Sequence, residues 1–436
     1  MRILALTNLY PPHHAGTFDT HCENMVEALR LRGHAVRVLV SNHGAPSDQR
    51  GGDVERRLYL NGAFGHPLVS GFNEMKPMEL HNNEALMESI EEFQPDIVHV
   101  FSLAGLSKSL LFTLEHSRRV VVFDIFDHWL SAGVREDPWL RFWNAPSLSL
   151  LEKSARAALE MSGERGRLDD CAPTRLKKGY DRLPGLFGDA KQLAAVTPNS
   201  LGGFKFEHAY FCSQALKSLC EQLGFCVWNA AVIYPSITGA YFGEIKSAKA
   251  PIKNLLLVAR LNDESGVMTA FKALKIARQA KLNISLHVYG RGDSAYVAKL
   301  RSFAVSNALP VEFLNVSNQN SDLPAVFKAH DALLHTPEWN EPFPFTPLQA
   351  MGCGLPVIGS TVGAAGELLR HGENALTYPP GDAEQLAARI NELILSPALR
   401  FQMAQTAQEE VSSRFSDVTV MDQVEQFLQS ALTQTE

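Results

Sequence analysis

Several features that mark large classes of protein are missing from this sequence. Its 436 residues include six cysteines, at 22, 171, 212, 220, 226 and 353. None forms a Cys-x-x-Cys pair, so neither a zinc site nor a disulfide framework is indicated. Free thiols suit a reducing cytoplasm. No apolar run reaches the roughly 20 residues of a membrane-spanning helix. Met1-Arg2-Ile3-Leu4-Ala5-Leu6 meets polar residues too soon for a signal peptide, and none is expected. Positive charge is not in excess. Lys and Arg total 40 against 47 Asp and Glu, a net charge of -7, so no nucleic-acid partner is expected. Internal repeats and low-complexity tracts are also absent.

The rest of the composition is that of a globular α/β protein. Hydrophobic residues make up 45% and charged residues 20%, and the length allows two domains. Arg2 to Thr7 reads as a buried strand, followed by a loop through Pro11-Pro12-His13-His14-Ala15-Gly16. A helix from about Asp19 to Arg32 and a strand from Val36 to Val40 complete the start of a parallel sheet. Residues 42 to 80 read as loop with an edge strand, and Glu84 to Phe93 as a short helix. Strands follow at Pro95–Val100, Arg119–Asp124 and Ala231–Pro235. Between about 137 and 193 the alternation breaks into an aromatic, helical and basic insertion. It resumes at Ala209–Cys212 with a helix to Leu223, and a second series follows with strands at 255–258, 284–289, 311–314, 332–334 and 356–359. After Gly381-Asp382 the chain reads as helical to its end, with a final helix at Glu425–Leu432.

The most informative stretch runs from Glu338 to Glu367, EWNEPFPFTPLQAMGCGLPVIGSTVGAAGE. Two strand ends meet a helix start there. Thr346 is expected as N-cap, Pro347 at the first helical position, and Gln349 as the third residue of a capping box. Free N–H groups at that start suit a phosphate. Glu341 is the carboxylate within reach of a hydroxyl-rich ligand.

These residues closely resemble the donor-site motif of retaining glycosyltransferases with the GT-B fold, the family four group (glycosyl transferases group 1). Glu341 matches the motif's first Glu, and Ala350, Met351, Gly354, Pro356 and Val357 match its second half. Gln349 stands where a second Glu usually holds the ribose hydroxyls, and offers one carbonyl acceptor instead of a carboxylate. Capping is the alternative role for Gln349. Arg260 matches an Arg that pairs with the donor diphosphate, as guanidinium forks do; a surface ion pair is the alternative. Gly266 matches the Gly of a Lys-Gly pair, but Ser265 replaces the Lys, and Arg291 is a possible substitute. Gly16 matches the second of a glycine pair that approaches the donor, with Ala15 replacing the first. Asp127 and Trp129 match a His-Asp-x-Trp strand end in which Phe126 replaces the His. In an extended segment His128 would share the face of Phe126 and occupy similar space; packing among aromatics is the alternative. His13 and His14 read as loop residues, not metal ligands, because no carboxylate cluster accompanies them.

The resemblance implies two Rossmann-like domains facing across a cleft. Residues 1–236 would form the acceptor-side domain, with the insertion at about 137–193. Residues 250–415 would form the donor domain, and 416–436 a C-terminal helix returning to the first domain. It implies transfer of a hexose from a nucleoside diphosphate sugar to a hydroxyl of a sugar, lipid-linked or protein acceptor, with retention and without a metal cofactor. Glu341, Arg260, Asp127 and His128 are the expected catalytic residues. Gly16, Arg260, Ser265, Gly266, Arg291, Phe345, Thr346, Pro347, Leu348 and Gln349 are the expected donor-binding residues. The basic insertion would shape an acceptor groove or touch the inner face of a membrane; a solvated loop is the alternative. Phe126, Ser265 and Gln349 depart from the pattern and leave open a catalytically degenerate sugar-nucleotide-binding or partner-binding protein. An epimerase or a phosphorylase on the same fold is a third possibility.

Overall fold

Short apolar runs become strands that are covered on both faces. The computed structural model describes residues 1–13, 17–45, 48–131, 137–138, 206–223, 225, 227–314 and 323–434. By contacts the described chain divides into two units. The first contains β1 (Arg2–Leu6), α1 (Thr17–Leu31), β2 (Ala35–Ser41), β3 (Val54–Leu58), α2 (Phe72–Phe93) and β4 (Ile97–Val100). It continues with α3 (Leu110–His116), β5 (Val120–Ile125), β6 (Phe206–Phe211), most of α4 (Gln214–Gln222) and β7 (Val227–Val232). Its seven strands run β3-β2-β1-β4-β5-β6-β7, and each pairs in parallel with its neighbours. Ile3, Leu4, Ala5 and Leu6 are all buried, the continuous apolar pattern of a strand with helices on both sides.

Two elements differ from the sequence reading. The short helix expected at Glu84–Phe93 begins twelve residues earlier, at Phe72, and carries Pro77 inside it. The Pro77 ring faces solvent. The buried face of α2 is partly polar, and that hides it from an apolar-periodicity reading. Asn82 exchanges hydrogen bonds with the backbone of Tyr59 at 2.7 and 3.0 Å, and Asn83 donates to Ser109 Oγ at 2.9 Å. The last strand of this sheet ends at Val232, so Tyr234-Pro235 lies beyond it. The insertion expected at 137–193 lies outside the described residues apart from Asp137 and Pro138.

The second unit opens with β8 (Asn254–Val258), α5 (Val267–Gln279), β9 (Ser285–Tyr289), α6 (Ser294–Ser306), β10 (Val311–Leu314) and α7 (Leu323–Ala329). It goes on through β11 (Ala332–His335), α8 (Phe345–Gly352), β12 (Val357–Ser360), α9 (Ala365–Leu368) and β13 (Leu376–Tyr378). Helices α10 (Ala383–Leu395), α11 (Pro397–Arg414) and α12 (Asp417–Thr433) complete the chain. Its parallel sheet runs β10-β9-β8-β11-β12-β13. Phe271, Leu274, Leu286, Leu300, Leu334 and Ile358 lie in one core beneath it. Helix α12 starts eight residues before the expected Glu425. From Met421 onward it groups with the first unit, where Glu425 meets Arg32 at 2.8 Å and His34 at 3.0 Å. Among the described residues no helix is long and apolar enough to cross a membrane.

Candidate active site

In parallel α/β sheets ligands gather beyond the carboxyl ends of the strands. In the second unit those ends carry most of the residues singled out above. Arg260 follows β8 and Arg291 follows β9. The ladder between these strands extends past their ends. Ala259 N–H donates to Tyr289 O at 3.2 Å, and Leu261 N–H donates to Arg291 O at 2.8 Å. Residues 260 and 291 are therefore neighbours across that ladder. The approach is so close that a Cβ on Gly290 would lie 1.9 Å from Ala259 O, and one on Gly292 2.0 Å from Leu261 O. Arg260 is exposed, and its guanidinium has no ion-pair or hydrogen-bond partner among the described residues, so no surface ion pair is seen there.

Gly266 sits at φ +61°, and a Cβ there would fall 1.8 Å from Thr336 O. Only glycine fits both the left-handed conformation and that contact. Ser265 does not present a free hydroxyl. Its N–H and Oγ both donate to Asn262 Oδ1, at 3.0 and 2.7 Å, closing the turn before α5. Beside this turn stands Glu338, which accepts from Thr269 Oγ1 at 2.6 Å. Burial first, and the charge of Glu338 second, raise the Tyr378 phenol above its ordinary value. A carboxylate thus stands close to the turn where the family pattern leads one to expect a second cation.

The expected capping box does not form. Helix α8 starts at Phe345, two residues early, with Pro344 as its N-cap and no side-chain cap. Pro fixes φ and lacks an N–H, so the chain enters the helix before Thr346. Phe345 N–H donates to Phe343 O and Leu348 N–H to Pro344 O, at 2.9 and 3.2 Å. Pro347 has no N–H. That leaves Thr346 N–H as the one at this turn without an acceptor among the described residues. Gln349 is 2% exposed, and its amide has no partner among the described residues. Its side chain therefore does not cap α8.

Glu341 is held from two sides. Its backbone packs against the turn at Gly363, where a Cβ would fall 2.6 Å from Glu341 N, and its carbonyl accepts from Ala364 N–H at 3.2 Å. Its Oε2 lies 3.1 Å from His335 Nε2. The angles fall outside hydrogen-bond directionality, so both buried atoms lack a bonded partner. His335 is the last residue of β11. Neither His335 nor Glu338 is identified by motif reading. Their positions at and just beyond a strand's C-terminal end are the signal that finds them.

The first unit holds the remaining candidates. Asp127 Oδ2 accepts from Ser102 Oγ at 2.8 Å and Oδ1 from Trp129 N–H at 2.7 Å, and burial raises its carboxyl above the usual range. That second bond closes a turn, so residues 126 and 128 are not extended and do not share a face. His128 Nδ1 lies 2.8 Å from Ser131 Oγ and its ring lines a cavity with Asp127 and Trp129. Phe126 instead stacks on His21, with ring centroids 3.9 Å apart. His21 Nε2 is 2.7 Å from Asp124 Oδ2. Thus the imidazole beside Phe126 comes from α1 and not from position 128. Sequence reading misses His21 because a helix and a distant strand bring it there. Gly16 and His14 lie outside the described residues. Among the described residues no group of three or more His, Cys, Asp or Glu side chains is arranged to hold a metal.

Comparison with known proteins agrees with this layout. The family model "Glycosyl transferases group 1" matches residues 245–410, and "Glycosyltransferase Family 4" matches residues 19–159. A glycogen synthase of Mycobacterium tuberculosis is 28% identical over 96% of this chain and 92% of its own length. An uncharacterised glycosyltransferase of Methanocaldococcus jannaschii is 19% identical over 95% of each chain. Among solved structures, sucrose-phosphate synthase from Thermosynechococcus elongatus superposes with a TM-score of 0.66 at 15% identity, covering 99% of both chains. Anabaena HepE in complex with UDP-glucose superposes at 0.63 and 21% identity, over 99% of this chain and 100% of its own. These likenesses are to proteins of the GT-B fold. With its two parallel α/β units and its matched donor-domain residues, the chain belongs to the group 1 family of glycosyltransferases.

Proposed function

We propose that this glycosyltransferase moves a hexose from a nucleoside diphosphate sugar to an acceptor hydroxyl, with retention at the anomeric carbon, in glycan or glycoconjugate synthesis. One observation carries the reading. Beyond the strand ends of the second unit, the Arg260 guanidinium, Thr346 N–H and the Gln349 side-chain amide all lack partners among the described residues. Together they suit a phosphate and a ribose. The bond from the sugar to the diphosphate lengthens, negative charge grows on the leaving phosphate, and positive charge spreads over the ring. Arg260 and Thr346 N–H stabilise the phosphate, and Arg291 adds a second cation in place of the missing Lys. Glu341 orients the sugar and favours the ring cation. The acceptor oxygen bonds to the anomeric carbon on the face the phosphate leaves, and its proton passes to that phosphate. Charge is neutralised by arginine and backbone donors, so no metal is required.

Six scattered cysteines with no Cys-x-x-Cys pair support a cytoplasmic setting. Contact with a membrane face would belong to the basic segment between Arg165 and Arg182. The decisive experiment offers a nucleotide-sugar panel to the purified protein and follows binding by saturation-transfer NMR, then transfer to pooled acceptors. UDP-glucose is the first donor to test. Donor binding with product that keeps the anomeric configuration supports the reading. Binding with neither transfer nor slow donor hydrolysis would replace it with a sugar-nucleotide-binding role.

A further inference from the structure

Beyond the C-terminal ends of β3, β4 and β5 the first unit contains a cavity of about 370 Å³. That lies within the size range of small-molecule sites. Its walls are tied together before any ligand arrives. Asn61 exchanges hydrogen bonds with the backbone of Val69 at 2.9 and 2.7 Å, and its N–H donates to Gly105 O at 2.8 Å. Gly105, at φ +77°, lets this wall close, since a Cβ there would fall 2.6 Å from the Ala63 Cβ.

The lining has a specific chemistry. Glu79 and Asp137 are each 2% exposed and Lys108 is 4% exposed. The Lys108 ammonium is engaged by the wall itself, donating to Leu103 O at 2.7 Å and Leu106 O at 2.8 Å. Asp137 Oδ2 accepts Lys108 N–H at 2.7 Å, and Glu79 Oε2 accepts Ser109 Oγ at 2.6 Å. Asp127 adds a third carboxyl. Trp129 supplies an aromatic face and a buried indole N–H that has no acceptor among the described residues. Leu106, Met78 and the largely exposed Leu68 supply apolar surface.

The Asp127 and Asp137 carboxyls and a lysine already bonded to carbonyls disfavour an anionic occupant, while burial keeps Glu79 protonated and able to donate to a hydroxyl. Carboxyls beside an aromatic ring suit a ring that is apolar on its C–H face and rich in hydroxyls at its edge. We propose that this cavity is the acceptor subsite and that it takes a neutral sugar or polyol in preference to a phosphorylated one. The proposal rests on the transferase reading above and narrows its acceptor class.

The test uses the full chain without donor, with methyl α-glucoside, maltose and myo-inositol as neutral probes and glucose 6-phosphate as the charged probe. Saturation-transfer NMR should show at least one neutral probe bound and glucose 6-phosphate at least tenfold weaker. Ala104→Phe, which fills the cavity, should abolish that binding while circular dichroism stays unchanged. Leu68→Lys, at an exposed position on the rim, should improve glucose 6-phosphate binding and carries little risk to folding. Absence of binding by every neutral probe, a preference for glucose 6-phosphate in the native chain, or unchanged binding in folded Ala104→Phe would each overturn the proposal. If transfer is observed and is indifferent to Ala104→Phe, the cavity assignment falls and the transferase reading stands. If a neutral probe binds in the cavity and no transfer occurs, the transferase reading falls, and the cavity is a neutral-sugar site without an acceptor role.

Discussion

His335 Nε2 and Glu341 Oε2 lie 3.1 Å apart, both buried and both without a hydrogen bond of good geometry. A ligand that shifts the carboxylate slightly would complete that bond. The expectation is that His335 positions Glu341. His335→Leu should lower kcat about tenfold to a hundredfold, with a smaller change in donor KM. His335→Gln, which keeps a donor of similar reach, should recover part of the loss. Equal kcat in His335→Leu and the native enzyme would remove His335 from the mechanism.

The Arg260 guanidinium has no partner among the described residues, so its removal should leave the fold intact. If it acts on charge that grows as the phosphate leaves, Arg260→Ala depresses kcat more than donor binding. The expected loss is about 3 kcal/mol, or about a hundredfold in rate, and Glu341→Ala should lose at least as much. Ser265→Lys restores a cation but breaks the Asn262 cap and meets Glu338. Its rate should be unchanged, because Arg291 already serves the phosphate; a faster enzyme would show that Arg291 does not fill the place of the missing Lys.

Gln349 has no capping bond to lose. Calorimetry with UDP should therefore show weaker binding in Gln349→Ala and binding at least as tight in Gln349→Glu. Unchanged affinity in both variants would take Gln349 out of the nucleotide site.

Chelation is a further test. Turnover should survive excess EDTA. Loss of activity restored by Mn²⁺ or Mg²⁺ would show that a metal, and not arginine and backbone N–H groups, balances the leaving charge.

Glu79 gives the first unit a pH dependence. Burial, reinforced by the charge of Asp137, raises its carboxyl from 4.5 to about 8. The folded chain therefore keeps a proton that the unfolded chain has lost across that window, and stability falls as pH rises through it. Thermal midpoints measured from pH 5 to pH 8 should decline, and Glu79→Gln should flatten the decline. An unchanged slope in Glu79→Gln would assign the effect to other groups.

Some of this protein is written locally and can be read locally. The runs at 255–258 and 332–334 are apolar because both faces of a parallel strand are buried. Gly266 and Gly363 stand where a Cβ would strike backbone, and Glu341 and Arg260 sit just past strands. Such features depend on a few adjacent residues, so the sequence alone determined the α/β alternation and the donor motif. Other features arise from contacts between distant segments. Helix α2 is long because Asn82 and Asn83 find partners on Tyr59 and Ser109, which no periodicity reveals. Pro344 moved the start of α8 and freed Gln349 from its cap. His21 reached Phe126 and Asp124 from another element, His335 met Glu341 across a loop, and three strand ends enclosed the cavity around Glu79 and Asp137. Side-chain type is a property of sequence. Which unpaired polar groups face one another depends on tertiary packing, because burial and partner geometry set their energies.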